Sequence, residues 1–180
     1  AKNNQDIVLS KENGVHTIMF KVKGFNNPEI LNAKMYELIG RLNTDIVEKV
    51  GVDYDNDDKA KVYFLFKSFG KDLGMEQRYM YLNSVYKKSN SDDIHCYKSK
   101  SANESVQHVP ERFKDPSHRS LHCEFADLLF KYSNQNRELE CRYDFKIDLG
   151  NDFPIYMKNL MGILMKKIFT RLKHYLETVC

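Results

Sequence analysis

The last thirty or so residues constrain this chain more than any other stretch. In residues 152–180 the apolar side chains include Phe153, Tyr156, Met157, Leu160, Met161, Leu164, Ile168, Leu172, Tyr175, Leu176 and Val179. They recur at steps of three and four, which places them on one face of a helix. Lys158, Lys166, Lys167, Arg171, Lys173 and His174 fall mostly beside or opposite that face. Asp152 is the expected N-cap, and Pro154 sits in the first turn, where its missing N–H costs little. At 1.5 Å per residue such a helix runs about 40 Å, enough to cross a small domain. The repeated basic residues exclude a membrane span, and alternating e/g charges of a coiled coil are absent. A helix with so long a Met- and Leu-rich face needs an apolar surface to cover.

The upstream sequence supplies one. Residues 6–9 and 15–22 flank Asn13-Gly14, a strong signal for a two-residue hairpin turn. Asn27-Pro28 then opens a predicted helix in which Ile30, Leu31, Met35, Leu38 and Ile39 keep helical spacing to Gly40. Residues 44–54 read as extended. The acidic run Asp53-Tyr54-Asp55-Asn56-Asp57-Asp58 lacks the Gly and terminal Glu of an EF-hand loop and reads as a solvated hairpin tip. Strands follow over residues 61–69, 76–87, 92–99, 121–132 and 139–149. In the last of these Leu139, Cys141, Tyr143, Phe145, Ile147 and Leu149 alternate with charged residues, giving one apolar and one polar face. Residues 101–117, polar and with two prolines, form a long loop of the kind that often serves as a lid.

This order predicts an α+β fold: one curved antiparallel sheet gripping the long terminal helix, all within a single domain over residues 1–180. A chain of 180 residues can bury a stable core alone. Eleven Tyr and eleven Phe without Trp suit a sheet-rich, aromatic interior. A net charge of +3 with no basic tract excludes a nucleic-acid partner. The chain starts at Ala1 with no apolar leader, as expected of a processed or excised domain, and no signal peptide can be read from it. Cys96, Cys123, Cys141 and Cys180 are widely spaced and read as reduced, which favours a cytoplasmic setting. His95-Cys96 and His122-Cys123, with Cys141, are the zinc candidates. Neighbours on a strand point to opposite faces, however, so each pair offers one ligand at most, and no metal or other cofactor is expected.

Several stretches resemble the START (StAR-related lipid transfer) family. Tyr143-Asp144-Phe145-Lys146-Ile147-Asp148-Leu149-Gly150-Asn151-Asp152-Phe153-Pro154 is similar to the family's strand, Asp-x-Gly-Gly, spacer and Pro before the gripping helix. Glu76-Gln77-Arg78-Tyr79-Met80-Tyr81 resembles its Arg-Asp-Phe strand, residues 94–101 its strand ending in serine, and the helix from Pro28 to Arg41 its first inner helix. The opening family helix is missing, and Leu42-Asn43-Thr44-Asp45 stands where the family has Trp-Asp. The resemblance implies a helix-grip fold that binds one lipid, a phospholipid or sterol, and shuttles it between membranes as a monomer in transient contact with the membrane surface.

The residues agree with that implication physically. The expected ligand-binding set is Arg78, Met80, Leu82, Tyr143, Phe145, Met157, Leu160, Met161, Leu164 and Ile168. Arg78 shares its period-two face with Met80, Leu82 and Ser84 and is the candidate partner for a polar head. Lys166, Lys167, Arg171 and Lys173 are the residues that can approach an anionic membrane, although a solvated face is the commoner use of such a cluster. The 101–117 loop, the Gly70–Gly74 stretch and the terminal helix are the expected gates. Two other functions stay open. One is a protein-interaction module with a filled core. The other is a cyclase or hydrolase using His95, His122, Glu124 or Asp127, though no spacing singles these out and no nucleophile motif is present. No catalytic residue is expected.

Overall fold

The computed structural model describes residues 6–68, 76–89, 93–102, 109–149 and 155–179, without the side chains of Tyr156 and Met157. The expected hairpin is the first element. β1 (Ile7–Glu12) and β2 (Val15–Lys23) pair with Glu12 opposite Val15. Asn13 and Gly14 alone make the turn, at φ 51° and 79°. Both angles are left-handed, which is why Asn-Gly occupies this position.

The helix expected from Pro28 is broken. Pro28–Ile30 is a short 3-10 turn, and α1 (Met35–Leu42) begins only after Asn32. Asn32 caps locally: its Oδ1 accepts from the Lys34 N–H at 2.8 Å, a turn that competes with continuous helix. β3 (Val47–Tyr54) and β4 (Lys59–Phe66) form the next hairpin. At its acidic tip Asn56 Oδ1 accepts from the N–H groups of Asp58 and Lys59 at 2.8 and 2.9 Å, so the tip is a self-bonded turn. β5 (Gln77–Ser89), β6 (Ile94–Ser101), the three-residue β7 (His118–Ser120), β8 (His122–Ser133) and β9 (Glu138–Asp148) complete the strands, and α2 (Ile155–Thr178) follows. The capping expected at Asp152 and Pro154 lies outside the described residues.

The strands make one open sheet in the order β1-β2-β9-β8-β6-β5-β4-β3, every pair antiparallel, with β7 added to β5 in parallel. Among the described residues both α-helices lie on the inner face. α2 crosses it along the β1-β2-β9 side. Gly162 lies against His16 and Leu9, where a Cβ would come within 3.1 Å of the His16 ring. Further along, Phe169 stacks on Tyr143 with centroids 4.4 Å apart, and the Asn27 side-chain amide donates to Val179 O at 3.0 Å. Leu172 and Leu176 are completely buried.

Of the 101–117 loop expected as a lid, residues 109–117 pack on the outer face of the sheet. There Phe113 stacks on Tyr63 at 4.4 Å beside Leu65, Tyr79 and Val109, with Arg112 over its ring and ion-paired to Asp53. Gly51 is required here, because a Cβ would come within 2.1 Å of the Phe113 ring. This strap is why β4 is apolar on both faces. Gly70–Gly74 and residues 103–108 lie outside the described residues.

Removing the middle of the α2 seam should open a void that the rigid sheet cannot collapse into. Leu172→Ala is expected to cost about 2–5 kcal/mol of stability in urea titration. A loss below about 1 kcal/mol would mean that α2 is not a packed part of the core.

Candidate functional site

Inward-facing residues of β3, β4, β5 and β9 do not meet the helices everywhere. Between them, α1 and α2 lies an apolar cavity of about 30 Å³, lined by Tyr36, Ile39, Val47, Phe64, Phe66, Met80, Leu82, Tyr143, Met165, Ile168 and Phe169. That is room for a water or two, yet a void with so few polar groups stays dry. Met80, Leu82, Tyr143 and Ile168 are the expected ligand residues that the structure brings together here.

The other expected residues are placed differently. Phe145 is fully buried but is sandwiched by His16 and Tyr143, with centroids 4.9 and 5.0 Å away. Met161 and Leu164 are half-buried and pack on the same core, and Leu160 is half-buried on α2. Arg78 is half-buried at the start of β5 and does not line this cavity. The Met157 side chain lies outside the described residues.

Seven lining residues lie outside the expected ligand set, and the sequence signals for them were uneven. Met165 and Phe169 extend the α2 face by one helical step. Phe64 and Phe66 alternate correctly, but β4 reads Val62-Tyr63-Phe64-Leu65-Phe66 with no polar residue to say which face is inner. Tyr36 sits in the helix whose start was misplaced.

One wall of the cavity is the seam where Ile39 and Val47 meet Met165 and Ile168. Polar contacts close it from outside. The Arg171 guanidinium grips Asp45 with both terminal nitrogens, at 2.7 Å from Nη2 to Oδ2, and donates to Asn43 Oδ1 at 3.1 Å. Lys167 adds a contact to Asp45 at 3.5 Å. The Arg171 pairing holds the Asp45 carboxyl well below the usual carboxylate range. Asn43 is fully buried and its amide donates to Ile39 O at 2.8 Å, so the latch reaches back into α1. Lys173 pairs with Glu177. Three of the four basic residues considered for a membrane are therefore engaged with carboxylates.

Behind α1 the inner face turns polar. Tyr36 Oη lies 2.5 Å from Ser99 Oγ, which is 3.0 Å from Ser84 Oγ. Tyr97 Oη donates to Asn32 O at 2.5 Å. His95, 2% exposed, has Nδ1 2.7 Å from Tyr86 Oη, and Tyr86 donates to Leu31 O at 3.2 Å. His95 Nε2 is buried with no hydrogen-bond partner among the described residues. Burial, and then Lys88, push the His95 pKa below its ordinary 6.5. His16 is lowered in the same sense by burial and Lys11.

His95 and Cys96 face opposite sides of β6, as do His122 and Cys123 of β8, and no metal-ligating cluster occurs among the described residues. The buried thiols of Cys123 and Cys141 are pushed up, Cys123 to about 12, by loss of solvent. Among the described residues no helix is long and apolar enough to cross a membrane.

No family model matches the chain, and no curated protein sequence does. Solved structures match over nearly its whole length. The human StarD13 (DLC2) lipid transfer and protein localization domain superposes with a TM-score of 0.69 at 12% identity, covering 97% of this chain and 85% of that one. Human StAR-related lipid transfer protein 5 gives 0.63 at 12% identity, covering 98% and 87%. The Zhui aromatase/cyclase from Streptomyces gives 0.53 at 10% identity, covering 91% and 92%. The chain thus has the helix-grip fold of START domains.

A folded pKa below the unfolded value means that the unfolded chain takes up a proton the native state resists. Stability is therefore full above pH 6.5 and is lost as pH falls from 6.5 through the lower folded values of His95 and His16. Thermal melts should drop across that window, and His95→Gln should flatten the drop. An unchanged slope in the variant would remove His95 from this account.

Proposed function

We propose that the protein binds one hydrophobic molecule, a lipid or sterol, between its sheet and terminal helix and carries it between membranes. The observation that carries this reading is the apolar void at the centre of the grip, closed by a helix rather than by a sheet. A void of about 30 Å³ costs about 0.7 kcal/mol at ~24 cal/mol per Å³, whereas each ligand CH₂ buried there returns about 0.8 kcal/mol. The cavity is far smaller than a lipid, so loading requires α2 and the α1–β3 turn to separate along the latched seam.

The likeness to lipid transfer domains supports the reading at the level of fold. Membrane contact is assigned to the first half of α2. There Ile155 and Ile163 stand 80% and 60% exposed, with Lys158 also exposed between them. Isoleucines framed by lysine suit the headgroup boundary of an anionic bilayer. A non-enzymatic role is the part of the reading supported by the placement of the acid–base candidates. His122, Glu124 and Asp127 do not line the cavity, and His95 is sealed behind Tyr86.

Native mass spectrometry of the protein after incubation with mixed liposomes tests this directly. One added mass per chain, identified after organic extraction as a lipid, is expected. A chain that stays empty after liposome exposure would favour the interaction-module reading instead.

A further inference from the structure

We infer that the bound molecule is uncharged and carries one small polar group, a hydroxyl or a carbonyl, seated against the Tyr36–Ser99–Ser84 hydroxyl chain. This rests on the binding function proposed above and narrows its ligand class. Tyr36 lines the apolar cavity and also a smaller pocket beyond it, which Ser84 lines as well. The three hydroxyl groups are all buried and linked in series at 2.5 and 3.0 Å.

Three hydroxyls bring three protons, and two links consume two of them. With Ser99 donating to Ser84 and Tyr36 to Ser99, the Tyr36 oxygen keeps a lone pair for a ligand alcohol. Rotating the hydroxyls to reverse the chain, each member being both donor and acceptor, would instead free the Tyr36 proton for a ligand carbonyl. Within the apolar cavity a charged group would find no such partner, since Asp57, Asp58 and Lys59 line only the smaller pocket beyond Tyr36. The cavity lining holds no Lys, Arg, His, Asp or Glu, and its ionisable groups are the phenols of Tyr36 and Tyr143. Burial holds both phenols neutral, Tyr36 pushed up to about 12. A carboxylate, phosphate or ammonium placed here would be desolvated without a counter-charge.

The test uses three fluorescent probes of one length on the intact protein: pyrenedecanol, decylpyrene and pyrenedecanoate. The alcohol should bind about three- to tenfold tighter than the alkane, the span of one hydrogen bond, and the carboxylate weakest. Tyr36→Phe keeps the ring edge-on to Phe64 and Tyr97 and should abolish the alcohol's advantage over the alkane. Ser99→Ala should reduce the advantage by breaking the chain at its middle. Tightest binding by the carboxylate, or an alcohol advantage intact in Tyr36→Phe, would overturn the inference while leaving the binding function standing. Failure of all three probes to bind would overturn both.

Discussion

Everything in this molecule depends on α2 being held against one face of an open sheet. Among the described residues the sheet has nine strands and no second layer of strands packs on it. Its inner apolar face would be wet without the helix. Burial of Leu172 and Leu176 and the stacking of Phe169 on Tyr143 supply the non-directional part of that attachment. Two directional contacts fix its register: the amide of Asn27 at the C-terminal end, and the Arg171–Asp45–Asn43 latch midway. An ion pair this exposed contributes little stability by itself. Its effect is positional, because it sets α2 beside the α1–β3 turn and so defines the seam of the cavity.

The two faces of the sheet do different work. On the outer face of β3, β4 and β5 a strap anchored by Phe113 covers Tyr63, Leu65 and Tyr79, making a filled secondary core. On the inner face the same strands present Phe64, Phe66, Met80 and Leu82 to a gap. Packing is therefore close where the chain is braced and incomplete where a ligand is proposed to enter. Met80 and Met165 on opposite walls of the gap are unbranched and adaptable, so the gap can widen without one fixed shape being demanded. Among the described residues the buried polar side chains are hydroxyls, the Asn43 amide and the His95 imidazole, whose pKa burial holds below its ordinary value, so none of them carries a charge at physiological pH.

Much of this architecture was legible in the sequence because its signals were local. Asn13-Gly14 dictated a hairpin, the alternation in β9 dictated one buried face, and the three-four spacing of α2 dictated what would cover it. The broken helix after Pro28 was less legible. Apolar spacing there continues through Asn32, and only that side chain's bond to the Lys34 amide shows the interruption. The strap was missed for a different reason. Val109 and Phe113 lie in a polar loop, and the surface they cover is created only when β4 and β5 pair. The cavity divided the same way. Met80, Leu82, Tyr143 and Ile168 follow from periodicity, but Tyr36 and Val47 reach it through the α1–β3 turn, whose path is set by tertiary contacts with Arg171.

The claim on which the rest stands is that the gap between α2 and the sheet admits a ligand. The chain contains no tryptophan, so Phe64→Trp places a single reporter in the cavity wall. Its emission should be quenched when the protein is mixed with vesicles containing lipid brominated on its acyl chains, because bromine quenches only on near contact. Quenching that saturates at one lipid per protein is the predicted result. Full emission in the presence of brominated vesicles, with lipid nonetheless bound to the protein, would place the ligand elsewhere and contradict the account.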